Sequence, residues 1–209
     1  MKKIAIIAFL LAVSVAVGSA QESRQDFSLS GTALVEPFVA SPTNVYVSAN
    51  RAFGALGSYR FMLTPSSAFE ANYGMTYQNS IHYVIRNGSG SYNYLVSNRV
   101  QEISGAFVHT FHYRKYNPFI EGGPGVFLFR PVRNSGTTDD FVKPQKEIGA
   151  LYGAGIAYEI SPSFDIRVEM RGVVTKVPTF GQTGPPNSDF ATNKWYNIYN
   201  PVIGVAYHF

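Results

Sequence analysis

The chain has 209 residues, no cysteine, 14% charged residues, 15% aromatic residues and 19 glycines. The lack of cysteine excludes a disulfide framework and a lipidated N-terminal cysteine, and the length suits one all-β domain. The formal net charge of +4 gives little support to a nucleic-acid partner, because Lys2 and Lys3 lie in a segment predicted to be removed.

That segment, MKKIAIIAFLLAVSVAVGSAQE, carries the two lysines, then an uncharged apolar run from Ile4 to Val17, then Gly18, Ser19 and Ala20. Charge, apolar run and small residues in that order predict a cleaved secretory signal over residues 1–20, with residues 21–209 forming one domain. The run is shorter than the roughly 20 residues a spanning helix needs. No later stretch reaches helix-spanning length or keeps a 3.6-residue period, which excludes a helical membrane protein.

From Phe27 onward, alternating segments fall at about 26–37, 53–64, 69–85, 99–112, 118–130, 146–160, 164–180 and 195–209, giving eight predicted strands. The gaps after the second, fourth and sixth are short (PSSA, YRKYN, SPS), and the others run to thirteen residues or more. RNGSGSYNYLVSN, VRNSGTTDDFVKPQ and GQTGPPNSDFATNK are rich in turn-forming residues and read as loops. Alternating short and long connections over an even strand count predict an eight-stranded antiparallel up-and-down transmembrane β-barrel. Both termini and the short turns are then expected on the periplasmic side.

The faces agree with a barrel whose apolar side meets lipid. In the second strand Phe53, Ala55, Gly57, Tyr59, Phe61 and Leu63 face out and Ser58 and Arg60 face in, joined by Leu56 and Met62. The third sets Phe69, Ala71, Tyr73, Met75, Tyr77, Ile81 and Tyr83 against Glu70, Asn72, Gly74, Thr76, Gln78, Ser80 and His82. In the fourth, His109 shares the outward face of Ile103, Phe107 and Phe111, where lipid contact does not account for it. In the fifth, EGGPG at residues 121–125 contains a proline that cannot donate to the ladder, so the facing of Val126 to Phe129 is left open between unbroken alternation and a switch at a bulge or kink.

The sixth strand opposes Ile148, Ala150, Tyr152, Ala154, Ile156, Tyr158 and Ile160 to Glu147, Gly149, Gly153, Gly155, Ala157 and Glu159. That inward set is small or charged, unlike the aliphatic core of a water-soluble barrel. In the seventh, FDIRVEMRG, the expectation is Phe164, Ile166, Val168 and Met170 toward lipid and Asp165, Arg167, Glu169 and Arg171 inward.

Eight strands leave room only for side chains, so inward charges must pair or stay hydrated. Tight hairpins predict Ile160 opposite Phe164, Glu159 opposite Asp165, Arg167 diagonal to Glu159, and Arg60 diagonal to Glu70. Glu70 is also expected to meet the strand-seven arginines. Arg60, Glu70, Glu159, Asp165, Arg167, Glu169 and Arg171 thus form a predicted interior charge cluster that plugs the lumen.

The last strand reads WYNIYNPVIGVAYHF, with Gly204, Tyr207 and Phe209 at its end. Here the sequence resembles the bacterial outer-membrane β-barrel family, particularly its small eight-stranded members of the OmpA and OmpX type. The resemblance implies that Gly204, Tyr207 and Phe209 form the signal read by the outer-membrane assembly machinery. Val202 departs from it, standing where a polar residue is usual. Unlike full-length OmpA, no peptidoglycan-binding module is expected after the last strand.

Some barrels of this size modify lipid A, which directs attention to serine and histidine near a rim. Ser80 and His82 share the predicted inner face of the third strand, but no oxyanion or acid motif accompanies them, and a polar lining is the ordinary reading. His109 and His112, three apart on a strand, fall on opposite faces and predict no metal site. The glycines of GALYGAGIAYE lack dinucleotide or P-loop spacing, so no cofactor is expected. Arg130, Arg133, Lys143 and Lys146 suggest contact with lipopolysaccharide phosphates. Asp139 and Asp140 oppose them, and a solvated loop is the preferred reading.

The function that follows is a non-enzymatic scaffold in the outer membrane displaying four loops. Its partners are membrane lipid, lipopolysaccharide and the assembly machinery, with a narrow pore or transport protein as the alternative. A lipid A-modifying enzyme ranks below both.

Overall fold

The computed structural model describes residues 24–41, 44–77, 79–87, 90–132, 142–181 and 192–209. The predicted signal segment lies outside them, as do Gln78, Arg133, Asp139 and Asp140. Among the described residues, the chain forms eleven strands. They are β1 (Gln25–Leu34), β2 (Val39–Ala40), β3 (Val45–Ala49), β4 (Ala52–Thr64), β5 (Ser67–Thr76), β6 (Asn79–Asn87), β7 (Gly90–Thr110), β8 (Tyr116–Pro131), β9 (Gln145–Ser161), β10 (Phe164–Lys176) and β11 (Trp195–His208).

Eight of these close into an antiparallel barrel in the order β1-β4-β5-β7-β8-β9-β10-β11, with β1 returning to β11. Full closure leaves no unpaired strand edge in the wall. The turns β4–β5, β7–β8 and β9–β10 lie at the end that holds β11's last residues, where His208 N donates to Ser163 O at 2.9 Å and Phe209 N to Gln25 O at 3.1 Å. This is called the terminal end below, and the opposite one the loop end.

The remaining strands extend the wall beyond the loop end. β7 is 21 residues long; its second half pairs with β5 and its first half with β6, from Asn79↔Asn98 to Asn87↔Gly90. β6 carries β3, and β3 carries β2. RNGSGSYNYLVSN is therefore largely a strand pair rather than a loop. Its glycines and asparagines masked the alternation of Tyr94, Val96 and the residues between them.

This extension corrects the third predicted strand. Met75 partners Gln101 and Asn79 partners Asn98, so one strand advances four residues while the other advances three. One extra residue reverses the facing of everything after it. Ile81, Tyr83 and Ile85, expected or implied on the lipid side, are fully buried, His82 is exposed and Ser80 half-buried. The Ser80 hydroxyl lies 3.3 Å from that of Ser97; the two candidate catalytic residues line no lumen.

The facing of β8 past Pro124, which the sequence leaves open, follows unbroken alternation. Phe119, Glu121, Gly125, Phe127 and Phe129 stay inside, and Ile120, Val126 and Arg130 stay outside. Pro124 and Gly123 fall in a gap of the β7–β8 ladder between the pairs Ser104↔Gly125 and Phe107↔Gly122. Both strands advance three residues across that gap, so the missing bonds cost no register. Elsewhere the outer face of the wall is apolar, with Phe27, Leu29, Phe69, Ile103, Ile156, Val168, Met170 and Ile203 all exposed.

Candidate functional site

Inward positions fill the barrel in two layers. Toward the terminal end, Arg60 reaches Glu70 with Nη2 at 2.6 Å and Nε at 2.8 Å from the same oxygen. The two are direct cross-strand partners, not diagonal ones, because the irregularity at Met62–Thr64 shifts the turn. Arg60 also lies 5.1 Å above the Phe119 ring. Arg167 forms a two-pronged bond to Asp26 at 3.0 and 2.7 Å, replacing the expected diagonal contact with Glu159. Asp165 instead faces His208, whose Nε2 is 2.9 Å away. Glu159 does sit opposite Asp165, while Ser161 rather than Ile160 partners Phe164, because the hairpin is irregular between Phe164 and Asp165.

Midway along, Arg171 is wholly buried and gathers three carboxylates: Glu102 at 2.7 Å, Glu121 at 3.0 Å and Glu169 at 3.6 Å. Gly153 stands between Arg171 and Glu121 in the sheet, and a Cβ there would press on the Glu121 carboxylate at 2.8 Å. The missing side chain is what lets the two charged groups meet across β9. Glu70 bonds Arg60 directly, and Arg167 and Arg171 act on it only at longer range.

Above this layer the interior turns apolar. Leu34, Leu56, Val100, Phe127, Val173 and Ile198, together with Thr32, Thr76, Glu102 and Asn200, surround a void of about 20 Å³. Space of that size is close to one water molecule. The apolar layer continues into the extension, where Phe180 sits edge-on to both Tyr83 and Phe129. Tyr83 donates to the Pro178 carbonyl at 2.6 Å.

Just past β1, and beyond its spanning part, Glu36 is buried beneath this extension. It accepts a bond from the Asn79 side chain and faces Tyr83 and Tyr196. Burial pushes its carboxyl up to about 7, against the downward pull of the Asn79 bond.

Asp26, Glu102, Glu121 and His208 belong to the ionic layer but escaped sequence reasoning. The signal was present: Asp26 alternates with Phe27, Glu102 with Ile103 and Glu121 with Ile120, by the same two-residue rule that selected Arg167. At the terminal rim, Tyr207 packs its ring 5.0 Å from Phe164 and 6.0 Å from Phe209. Gly204 meets Ser30 across the seam, where a Cβ would collide with the Ser30 hydroxyl and the Leu29 carbonyl. His109, puzzling on an outward face, sits at the turn: its Nδ1 is 3.3 Å from the Ser67 hydroxyl and its ring is edge-on to Phe111. His112 contacts the Pro65 carbonyl through Nε2 at 2.7 Å.

The family profile described as outer membrane protein beta-barrel domain matches residues 5–209. A comparison with curated protein sequences finds no match. Among solved structures, the chain is similar to outer membrane protein OprG from Pseudomonas aeruginosa, with a TM-score of 0.59 and 8% identity, covering 90% of this chain and 97% of that one. It is also similar to Neisserial surface protein A, with a TM-score of 0.54 and 12% identity over 88% of this chain and 97% of that one. At such identities the likeness speaks to the fold.

Proposed function

Since this chain belongs to the outer membrane protein beta-barrel domain family and is thereby a bacterial outer-membrane barrel, we propose that it is a non-enzymatic scaffold with a plugged lumen that displays its loop end outside the cell. The observation that carries this reading is the two-layer filling. Ion pairs occupy the half nearer the termini, and aliphatic and aromatic side chains with a few buried polar ones such as Thr76 and Asn200 fill the other, around a void of about 20 Å³. A hydrated ion has no path through such a core.

The same reading assigns residues 1–20 as a secretory signal and places the termini in the periplasm. It also makes Gly204, Tyr207 and Phe209 the pattern met by the assembly machinery. Against catalysis, Ser67 and His109 approach one another at the rim, but no carboxylate joins them among the described residues.

Single-channel recording of the refolded protein in planar bilayers is expected to show no stable conductance. Steady openings would refute the plug and favour the pore reading. Orientation is read separately, by a cysteine at exposed His82 labelled on intact cells with an impermeant maleimide; labelling only after the outer membrane is breached would reverse it.

A further inference from the structure

Where the extension joins the barrel mouth, a polar cluster is shut inside an apolar shell. Glu36, Asn79, Asn98 and Tyr196 come from four places in the chain: the stretch after β1 and the strands β6, β7 and β11. Each is at least nine-tenths buried, and Asn79 and Asn98 have no exposed surface at all. The neighbouring inward positions are apolar: Val96 and Val100 flank Asn98, Ile81 follows Asn79, Leu34 precedes Glu36 and Ile198 follows Tyr196. Asn79 and Asn98 are direct cross-strand partners, which sets their Cβ atoms about 5 Å apart on one face. Asn79 Nδ2 donates to the Glu36 carboxylate, and the Tyr196 hydroxyl is directed at the same group.

Asn79 Oδ1 and both side-chain polar atoms of Asn98 meet no hydrogen-bonding partner among the described residues. Buried polar atoms are nearly always paired, so three orphaned ones side by side point to a bound species. Glu36 narrows its chemistry. Among the described residues no Lys, Arg or His forms an ion pair with it, and a dry carboxylate is costly without a counter-charge. A water molecule would serve the amides but brings no charge. One carboxylate with two amide oxygens and a phenol oxygen is an all-oxygen set, which suits a hard cation, and its single negative charge matches a monovalent ion.

We propose that the Glu36 carboxylate, Asn79 Oδ1 and Asn98 Oδ1 bind one alkali cation of sodium or potassium size, with the Tyr196 hydroxyl beside it. A water of the ion's own shell takes the remaining donor, Asn98 Nδ2. The ion ties the stretch after β1 to the start of β6 and the middle of β7, so it fastens the extension onto the barrel mouth. The site is independent of whether the lumen conducts and of which way the loop end faces.

The test uses the full mature protein refolded in detergent at about pH 8.5, above the Glu36 carboxyl's value of about 7. Thermal midpoints are compared in sodium, potassium and choline chloride, each at about 0.2 M. A midpoint higher by about 3 °C or more in sodium or potassium than in choline is expected. Glu36→Gln should abolish that difference, and Asn98→Asp, which adds a carboxylate of the same shape, should enlarge it. Folding of each variant is checked by its gel shift on heating. Equal midpoints of the unmutated protein in all three salts overturn the site and leave water as the occupant. A difference that survives in folded Glu36→Gln is a general salt effect and overturns it too. Should the variants fail to fold, crystals of the unmutated protein soaked in thallium(I) acetate decide: anomalous density touching Glu36, Asn79 and Asn98 supports the ion, and none there overturns it.

Discussion

At the scale of single residues, Arg171 is where the interior has most at stake. It carries one positive charge among Glu102, Glu121 and Glu169, with no exposed surface of its own. Removing one partner of a buried ionic group leaves the others uncompensated, at about 3 to 5 kcal/mol. Arg171→Met is therefore expected to lower the unfolding free energy of the refolded barrel, measured by urea titration, by that amount, and adding Glu121→Gln should recover part of it. A single variant as stable as the unmutated protein would show that the layer is kept for something other than stability. Glu36 poses the reverse question, since its folded carboxyl titrates near 7, above the ordinary value. Its contribution is fully present below pH 4.5, is lost as pH rises through about 7 and is flat well above that. Each unit of the rise is worth about 1.4 kcal/mol, or about 3 kcal/mol in all. The thermal midpoint is expected to fall between pH 5 and pH 8, and Glu36→Gln should flatten that segment. A profile unchanged by Glu36→Gln would assign the dependence to another group.

At the scale of elements, the two-residue period accounts for most of what was legible. It placed Arg60, Asp165 and Arg167 on inner positions because each lies between exposed apolar residues, and Arg171 because it continues the same count past exposed Met170. It failed in β6, where one extra residue between Met75 and Asn79 inverts Ile81 and Tyr83. Nothing in MTYQNS marks that step, since a bulge there needs neither glycine nor proline. In β8 the sequence left the facing open because Pro124 is compatible with a bulge, and the ladder opens and recloses in register. Pairings across hairpins were harder still. Whether Arg60 sits opposite Glu70 or diagonal to it depends on a one-residue irregularity beside the turn, which composition does not encode. The aliphatic interior went unread because Leu56 was noted on one strand alone, while Val173 and Ile198 drew no attention on theirs. Only closure of the barrel brings them together with Phe127.

At the scale of the whole molecule, closure itself depends on the seam between β1 and β11, where seven residue pairs run from Asp26↔His208 to Thr32↔Val202. Gly204 lies within that seam and Phe209 at its margin, so the two residues joined by one proposed assembly pattern have separable physical roles. A side chain at Gly204 meets Ser30 and the Leu29 carbonyl and must push the strands apart wherever the protein folds. Phe209 contributes a ring stacked on Tyr207 and one more backbone bond across the seam, from its N–H to the Gln25 carbonyl, which does not depend on the aromatic side chain. Gly204→Val is accordingly expected to reduce heat-modifiable barrel both in cells and on refolding from urea into detergent. Phe209→Glu should reduce it several-fold in cells while leaving refolding nearly unchanged, because the loss lies in recognition rather than in the fold. If Phe209→Glu impaired refolding as severely as Gly204→Val, the terminal aromatic would be a structural clasp and the assembly role would fall. If it impaired neither, both roles would fall, and the seam alone would account for the end of the chain.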